Sequence, residues 1–133
     1  MRCLVVEDDP DISADLQRAL EAAGFSVDVT GDGETAWYQG GVEDYDAAIL
    51  DLGLPRLDGL SVLRRWRSAG RSFPVIVLSA RGEWTEKVEG IEAGADDYLS
   101  KPVRIEDLKG ILEKHLGTAG DKWKDAKPEV VLS

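Results

Sequence analysis

Five short apolar runs, Cys3 to Val6, Val27 to Val29, Ala47 to Leu50, Val75 to Leu78, and Tyr98 to Leu99, recur along the chain with longer amphipathic stretches between them. Apolar runs that do not alternate with polar residues suit strands buried on both faces, as in a parallel sheet flanked by helices. The intervening stretches carry helical spacing. Ile12, Leu16, Ala19, Leu20 and Ala23 mark a first helix, and Leu60, Val62, Leu63 and Trp66 a third. Trp84, Val88, Ile91 and Ala95 mark a fourth, and Ile105, Leu108, Leu112 and Leu116 a fifth; their steps of three and four keep each set on one helical face. The second, around Asp32 to Gln39, has only a weak apolar face.

Boundary residues support the same division. Asp9 can cap the orphan amides of the first helix while Pro10 takes the first helical position, where no donor is needed, and Gly24 stops it. The order βαβαβαβαβα with right-handed crossovers predicts an α/β fold. Its five-stranded parallel sheet is doubly wound, and the flavodoxin-like strand order 2-1-3-4-5 is the natural choice.

A chain of 133 residues has the size of one domain with a core that needs no disulfide or metal staple. It carries 16 Lys and Arg against 26 Asp and Glu, a net charge of −10. That is the wrong sign for tracking a phosphate backbone, so this stretch is not expected to bind DNA by itself. The single cysteine, Cys3, lies in an apolar run, which excludes a disulfide framework, reads as core, and favours a reducing compartment. The apolar run at the start is too short for a signal peptide or a membrane span, so a soluble, cytoplasmic protein is expected. After Leu116 the texture changes. Residues 117–128 lack a sustained period and carry linker residues, and Glu129 to Ser133 reads as the start of another strand. The expected division is therefore a domain at 1–116 followed by a linker at 117–133.

The polar residues with chemical potential fall where the strands stop. Glu7 and Asp8 follow the first strand, Asp51 ends the third, Ser79 ends the fourth, and Lys101 follows the fifth. Open parallel sheets bind ligands at the carboxyl ends of their strands, near the point where strand order reverses, here between strands one and three. Glu7, Asp8 and Asp51 should therefore share one cleft. Three carboxylates there repel one another, and a divalent cation is the simplest compensation. An all-oxygen set with few side-chain ligands suits Mg²⁺ better than Ca²⁺ or zinc, and the backbone carbonyl of Gly53 is placed to be a further ligand. In that setting Asp51 can attack phosphorus and form an acyl phosphate. The metal would take one phosphoryl oxygen, the Lys101 ammonium another, and the Ser79 hydroxyl with nearby amides the third.

Leu4-Val5-Val6-Glu7-Asp8-Asp9, Asp51-Leu52-Gly53-Leu54-Pro55, Leu78-Ser79-Ala80 and Lys101-Pro102 together resemble the CheY-like receiver domain of two-component response regulators over roughly residues 1 to 116. Asp58-Gly59-Leu60-Ser61, Arg64-Arg65-Trp66-Arg67 and Ala93-Gly94-Ala95-Asp96-Asp97-Tyr98 look most like the OmpR/PhoB class, particularly its PhoP members. The resemblance implies a phosphoacceptor signalling domain rather than an enzyme with its own substrate. A sensor histidine kinase donates a phosphoryl group to Asp51, Asp8 and Asp51 bind Mg²⁺ directly, and Glu7 binds it through water. Asp9 is then a helix cap. It further implies that Ser79 is drawn to the phosphate, that Tyr98 turns inward, and that the face of helix four, strand five and helix five is remodelled, with Lys101-Pro102 in cis.

The last helix departs from the class. Val103 stands where a Phe is usual, Gly110-Ile111 replaces an Ala-Arg pair, and Lys114-His115-Leu116-Gly117 closes the helix. The missing arginine normally pairs across an active dimer with an acid near Asp96 or Asp97, so a homodimer through this face is expected to be weakened, although Lys87 and Asp107 could still pair. His115 reads as a helix-end complement to the dipole rather than a relay histidine. Trp66 and Trp84 read as packing or partner-facing residues, and Trp123 has no assigned role. The leading expectation is a receiver whose output is a DNA-binding domain absent from this chain; the alternative is a stand-alone receiver that signals through a protein partner. A phosphatase of the haloacid-dehalogenase type would need a second Asp two residues after the nucleophile, where this chain has Gly53.

Overall fold

A computed structural model describes residues 1–79, 84–116 and 131–132. Five parallel strands, β1 (Arg2–Val6), β2 (Ser26–Thr30), β3 (Ala47–Asp51), β4 (Val75–Ser79) and β5 (Asp97–Ser100), form one sheet in the order β2-β1-β3-β4-β5. The register runs Val5 beside Val29 and Ile49, Leu50 beside Val77, and Val77 beside Tyr98. The predicted strand order is the one observed.

The sheet explains why the apolar runs do not alternate. Successive side chains point to opposite faces, and both faces are covered. Cys3, Val5, Ile49, Ile76 and Leu78 enter a core with Leu16, Leu20, Leu108 and Leu112. Leu4, Val6, Leu50, Val75 and Val77 enter a second core with Val62, Leu63 and Trp66. The central strands β3 and β4 are buried at every position, whereas the edges β2 and β5 are only partly covered. Cys3 is fully buried in the first core, which pushes its thiol up to about 12 and makes it a packing residue.

Five helices cover the sheet: α1 (Pro10–Ala22), α2 (Gly33–Val42), α3 (Gly59–Ser68), α4 (Trp84–Ala93) and α5 (Ile105–Leu116). Asp9 caps α1 as expected, accepting from the amides of Asp11 at 2.9 Å and Ile12 at 3.2 Å. Gly24, just past the end, takes φ 95°, a left-handed turn that favours glycine. Asp32 and Asp58 cap α2 and α3 in the same way through Thr35 and Ser61.

Two helical faces differ from the periodicity. On α4, Ile91 is 51% exposed although it lies on the expected apolar stripe. The helix turns its small residues, Gly90 and Ala93, to the sheet instead, and a Cβ on Gly90 would already stand 3.2 Å from Val77. The weak apolar face of α2 has a packing cause. Trp66 of α3 is fully buried, and a Cβ on Gly40 would fall 2.3 Å from its indole, so the tryptophan fills space that α2 leaves empty. Trp66 is thus a packing residue; the side chain of Trp84, and Trp123 altogether, lie outside the described residues.

A two-residue strand β6 (Val103–Arg104) pairs antiparallel with β7 (Val131–Leu132), so the strand expected near the end of the sequence exists and meets the segment just after Lys101. Of the linker expected at 117–133, residues 117–130 and 133 lie outside the described residues. Among those residues no helix is long and apolar enough to cross a membrane.

Candidate functional site

Strand order reverses between β1 and β3, and the carboxyl ends of those strands open into a cleft of about 630 Å³ whose lining includes Glu7, Asp8, Asp51, Gly53, Ser79 and Lys101. Glu7, Asp8, Asp51, Ser79 and Lys101, the residues that strand ends pointed to, therefore lie in one place. Parallel strands run in the same direction, so their terminal residues are brought to one edge whatever their distance in sequence. Ala80, the last residue of the Leu78-Ser79-Ala80 motif, lies outside the described residues.

Glu7, Asp8 and Asp51 each offer a carboxylate oxygen within 4.8 Å of the others. Glu7 and Asp51 are buried while Asp8 faces solvent. Lys101 reaches across the sheet to both buried acids, its ammonium 2.6 Å from Glu7 Oε1 and 3.3 Å from Asp51 Oδ1. One ammonium cannot neutralise three carboxylates, so the cleft keeps a negative surplus that suits a divalent cation. The ligand set is all oxygen and one side remains open, which fits Mg²⁺ held by few protein groups. Glu7, Asp8 and Asp51 offer the carboxylates that could hold it, and Gly53 lines the same cleft.

The electrostatics of Glu7 follow from its position. Burial is the largest cause, raising its carboxyl from 4.5 to about 7; Lys101 and the Asp9 amide pull it back, and the charge of Asp51 adds to the rise. Burial pulls the Lys101 ammonium down, but its contacts with Glu7 and Asp51 outweigh this and hold it above its ordinary value. The lysine therefore stays cationic while the acid beside it sits near its titration point.

Some determinants were not among the expected site residues. Glu89 of α4 and Asp58 also line the cleft. Gly59 is required by close approach, because a Cβ there would stand 2.3 Å from the Asp51 carbonyl oxygen. The Asp58-Gly59 pair at a helix start was the available sequence signal, but only the fold shows that this turn lies against Asp51.

Tyr98 lies on β5 outside the cleft, packed against the second core. The resemblance led us to expect an inward turn on phosphorylation; in this structure its hydroxyl is already buried, with no hydrogen-bond partner among the described residues. The Lys101-Pro102 bond is cis. On the same side, Asp96 accepts from Arg67 of α3 at 2.9 Å, and Asp97 lies 3.5 Å from both Lys114 and His115 of α5. His115 therefore faces an acid of its own domain besides closing a helix.

The family model described as the response regulator receiver domain matches residues 3–113. The two-component response regulator PhoP of Pseudomonas aeruginosa is 46% identical over 112 residues, 84% of this chain and 50% of that protein. The transcriptional regulatory protein QseB of Haemophilus influenzae is 45% identical over 113 residues, 85% of this chain and 51% of that protein. The chain thus spans about half the length of these curated relatives. Among solved structures, the receiver domain of the sensor histidine kinase PA1611 from Pseudomonas aeruginosa, which has a magnesium ion coordinated in its active site cleft, superposes with a TM-score of 0.81 at 34% identity, covering 88% of this chain and 98% of that one. A two-component response regulator from Clostridium difficile gives 0.84 at 25% identity, covering 90% and 98%.

Proposed function

Because the chain belongs to the response regulator receiver-domain family, with relatives of the OmpR/PhoB class, we propose that Asp51 accepts a phosphoryl group from a sensor histidine kinase in a Mg²⁺-dependent reaction. One observation carries the reading: the carboxylates of Glu7, Asp8 and Asp51 lie within 4.8 Å of one another, with the Lys101 ammonium against two of them.

An oxygen of the Asp51 carboxylate attacks phosphorus, the P–N bond of the donor phosphohistidine breaks, and the leaving nitrogen takes up a proton. When bound in this cleft, Mg²⁺ would supply neutralisation of charge on the transferring group. Lys101, already 3.3 Å from Asp51 Oδ1, takes a phosphoryl oxygen, and the Ser79 hydroxyl on the next strand takes another. Asp8, Asp51 and the Gly53 carbonyl would hold the metal, with Glu7 beside them. Glu7 also positions Lys101 through their 2.6 Å contact. The movement of Ser79 and Tyr98 then biases the face made by α4, β5 and α5.

We propose that residues 1–116 form the receiver and 117–133 a linker to an output that controls transcription, as in the regulators it resembles, with DNA contacted only through that further domain. The test is incubation with Mg²⁺ and acetyl phosphate. Intact mass should rise by one phosphoryl group, and Asp51→Asn should abolish the adduct; labelling that persists in this variant refutes the assignment.

A further inference from the structure

The outer face of α2 is apolar without any internal cause. Trp37, Tyr38 and Val42 are 44%, 67% and 59% exposed. Single exposed apolar residues are ordinary, but three within six positions of one helix form a contiguous patch of the kind that marks a contact site.

Gly41 separates this face from ordinary packing. Its neighbour Gly40 is imposed by the Trp66 indole, whereas a Cβ on Gly41 would meet nothing within 4 Å, and Gly41 does not take the left-handed backbone that favours glycine. Glycine costs helix stability relative to alanine, and nothing among the described residues requires one here. Glu34, Trp37, Tyr38 and Gly41 stand at i, i+3, i+4 and i+7 on exposed surface, the spacing of a hole that receives a knob from a facing helix. The glycine makes that hole deep.

The charge beside it is specific. A groove of about 540 Å³ between α2 and α3 is lined by Trp37, Arg64, Arg65, Ser68 and Ala69. The Arg65 guanidinium stacks 4.7 Å from the centre of the Trp37 ring. Arg64 and Arg65 are exposed, and neither forms an ion pair within 4 Å among the described residues. Asp58, which feels Arg64 through space, already accepts from the Ser61 amide and hydroxyl. The two neighbouring arginines are different: Arg67 is engaged by Asp96, and Arg71 by Asp44 and two backbone carbonyls. A chain of net charge −10 thus presents, beside an apolar socket, two cations with no ion pair among the described residues, one of them held against the Trp37 ring.

We propose that the α2 face, with Arg64 and Arg65 beside it, is a docking site for an amphipathic helix of another protein. That helix inserts one large apolar side chain over Gly41 and lays a row of carboxylates along α3. Glu34, at the N-terminal end of the same hole, repels carboxylates and so favours their placement toward α3. The surface lies away from the phosphoacceptor cleft, shares no residue with it, and does not depend on the function proposed for it.

The test titrates the ¹⁵N-labelled chain with two designed helical peptides of about four turns, one with a Leu stripe flanked by Glu and one with the same stripe flanked by Lys. The Glu peptide should shift the Trp37 indole signal, assigned by its loss in Trp37→Phe, and the Lys peptide should not. Arg64→Glu with Arg65→Glu should weaken binding by roughly ten-fold or more. Gly41→Gln should do the same by filling the socket, and both variants should retain Mg²⁺-dependent phosphorylation as a sign of an intact fold. Equal binding of the two peptides, shifts confined to another face, or variants that bind like the parent would overturn the proposal. So would a Trp37 shift that grows with protein concentration alone and vanishes in Gly41→Gln, because the occupant would then be a second copy of this chain.

Discussion

Replacing Glu7 with Gln should stabilise the metal-free protein, and by an amount that depends on pH. The Glu7 side chain is 1% exposed, and burial raises its carboxyl from 4.5 to about 7. At ~1.4 kcal/mol for each factor of ten in acid strength, keeping this group ionised in the fold costs about 3 kcal/mol. A carboxyl raised in the folded state favours folding below its unfolded value, and that contribution is lost as pH climbs through the folded one. The window is therefore 4.5 to about 7. Gln imitates the neutral acid at every pH, so Glu7→Gln minus parent isolates this group from all others that titrate. Urea unfolding in EDTA at pH 5, 6, 7 and 8 should show that difference growing by about 2 kcal/mol, equivalent to roughly 1 M in the midpoint. Saturating Mg²⁺ should shrink or reverse the advantage at pH 8, because bound cation favours the carboxylate. A difference that stays flat from pH 5 to 8 would refute the reasoning, since Glu7 would then not be an acid strained by burial.

Lys101→Met removes the cation 2.6 Å from Glu7 and 3.3 Å from Asp51; phosphorylation by acetyl phosphate should slow by ~10²-fold or more, and a rate near that of the parent would contradict the phosphoryl-binding role. Gly110→Ala in α5 should raise stability by about 1 kcal/mol, because the added Cβ meets nothing within 4 Å, and loss of stability in denaturant titration would show that contact to be misjudged. Beryllofluoride should not drive tight dimerisation through the α4, β5 and α5 face, because Asp96 is held by Arg67 and Asp97 by Lys114 and His115 within one chain; a tight dimer in light scattering would contradict this.

The sequence by itself determined the strands and, with the flavodoxin-like order as the natural choice, five residues of the cleft, though not Glu89 or Asp58. Continuous apolar runs need two covered faces, and a parallel sheet gathers the residues after each run at one edge, so Glu7, Asp8, Asp51, Ser79 and Lys101 could be assembled from linear spacing alone. Capping by Asp9 was also legible, because capping is local. Tertiary structure decided whatever depends on how segments far apart in sequence pack. Ile91 sits on the α4 stripe yet faces outward, since small Gly90 and Ala93 allow the helix to approach Val77 closely. The thin apolar face of α2 is completed by Trp66, and only that contact separates Gly40, which the core demands, from Gly41, which it does not. The rise of Glu7 to about 7 likewise needs the burial and the opposed charges of Lys101 and Asp51, which β1, β3 and the end of β5 bring together across the sheet. Periodicity marks an apolar face; it does not record what that face packs against, and the perturbed groups are set by the latter.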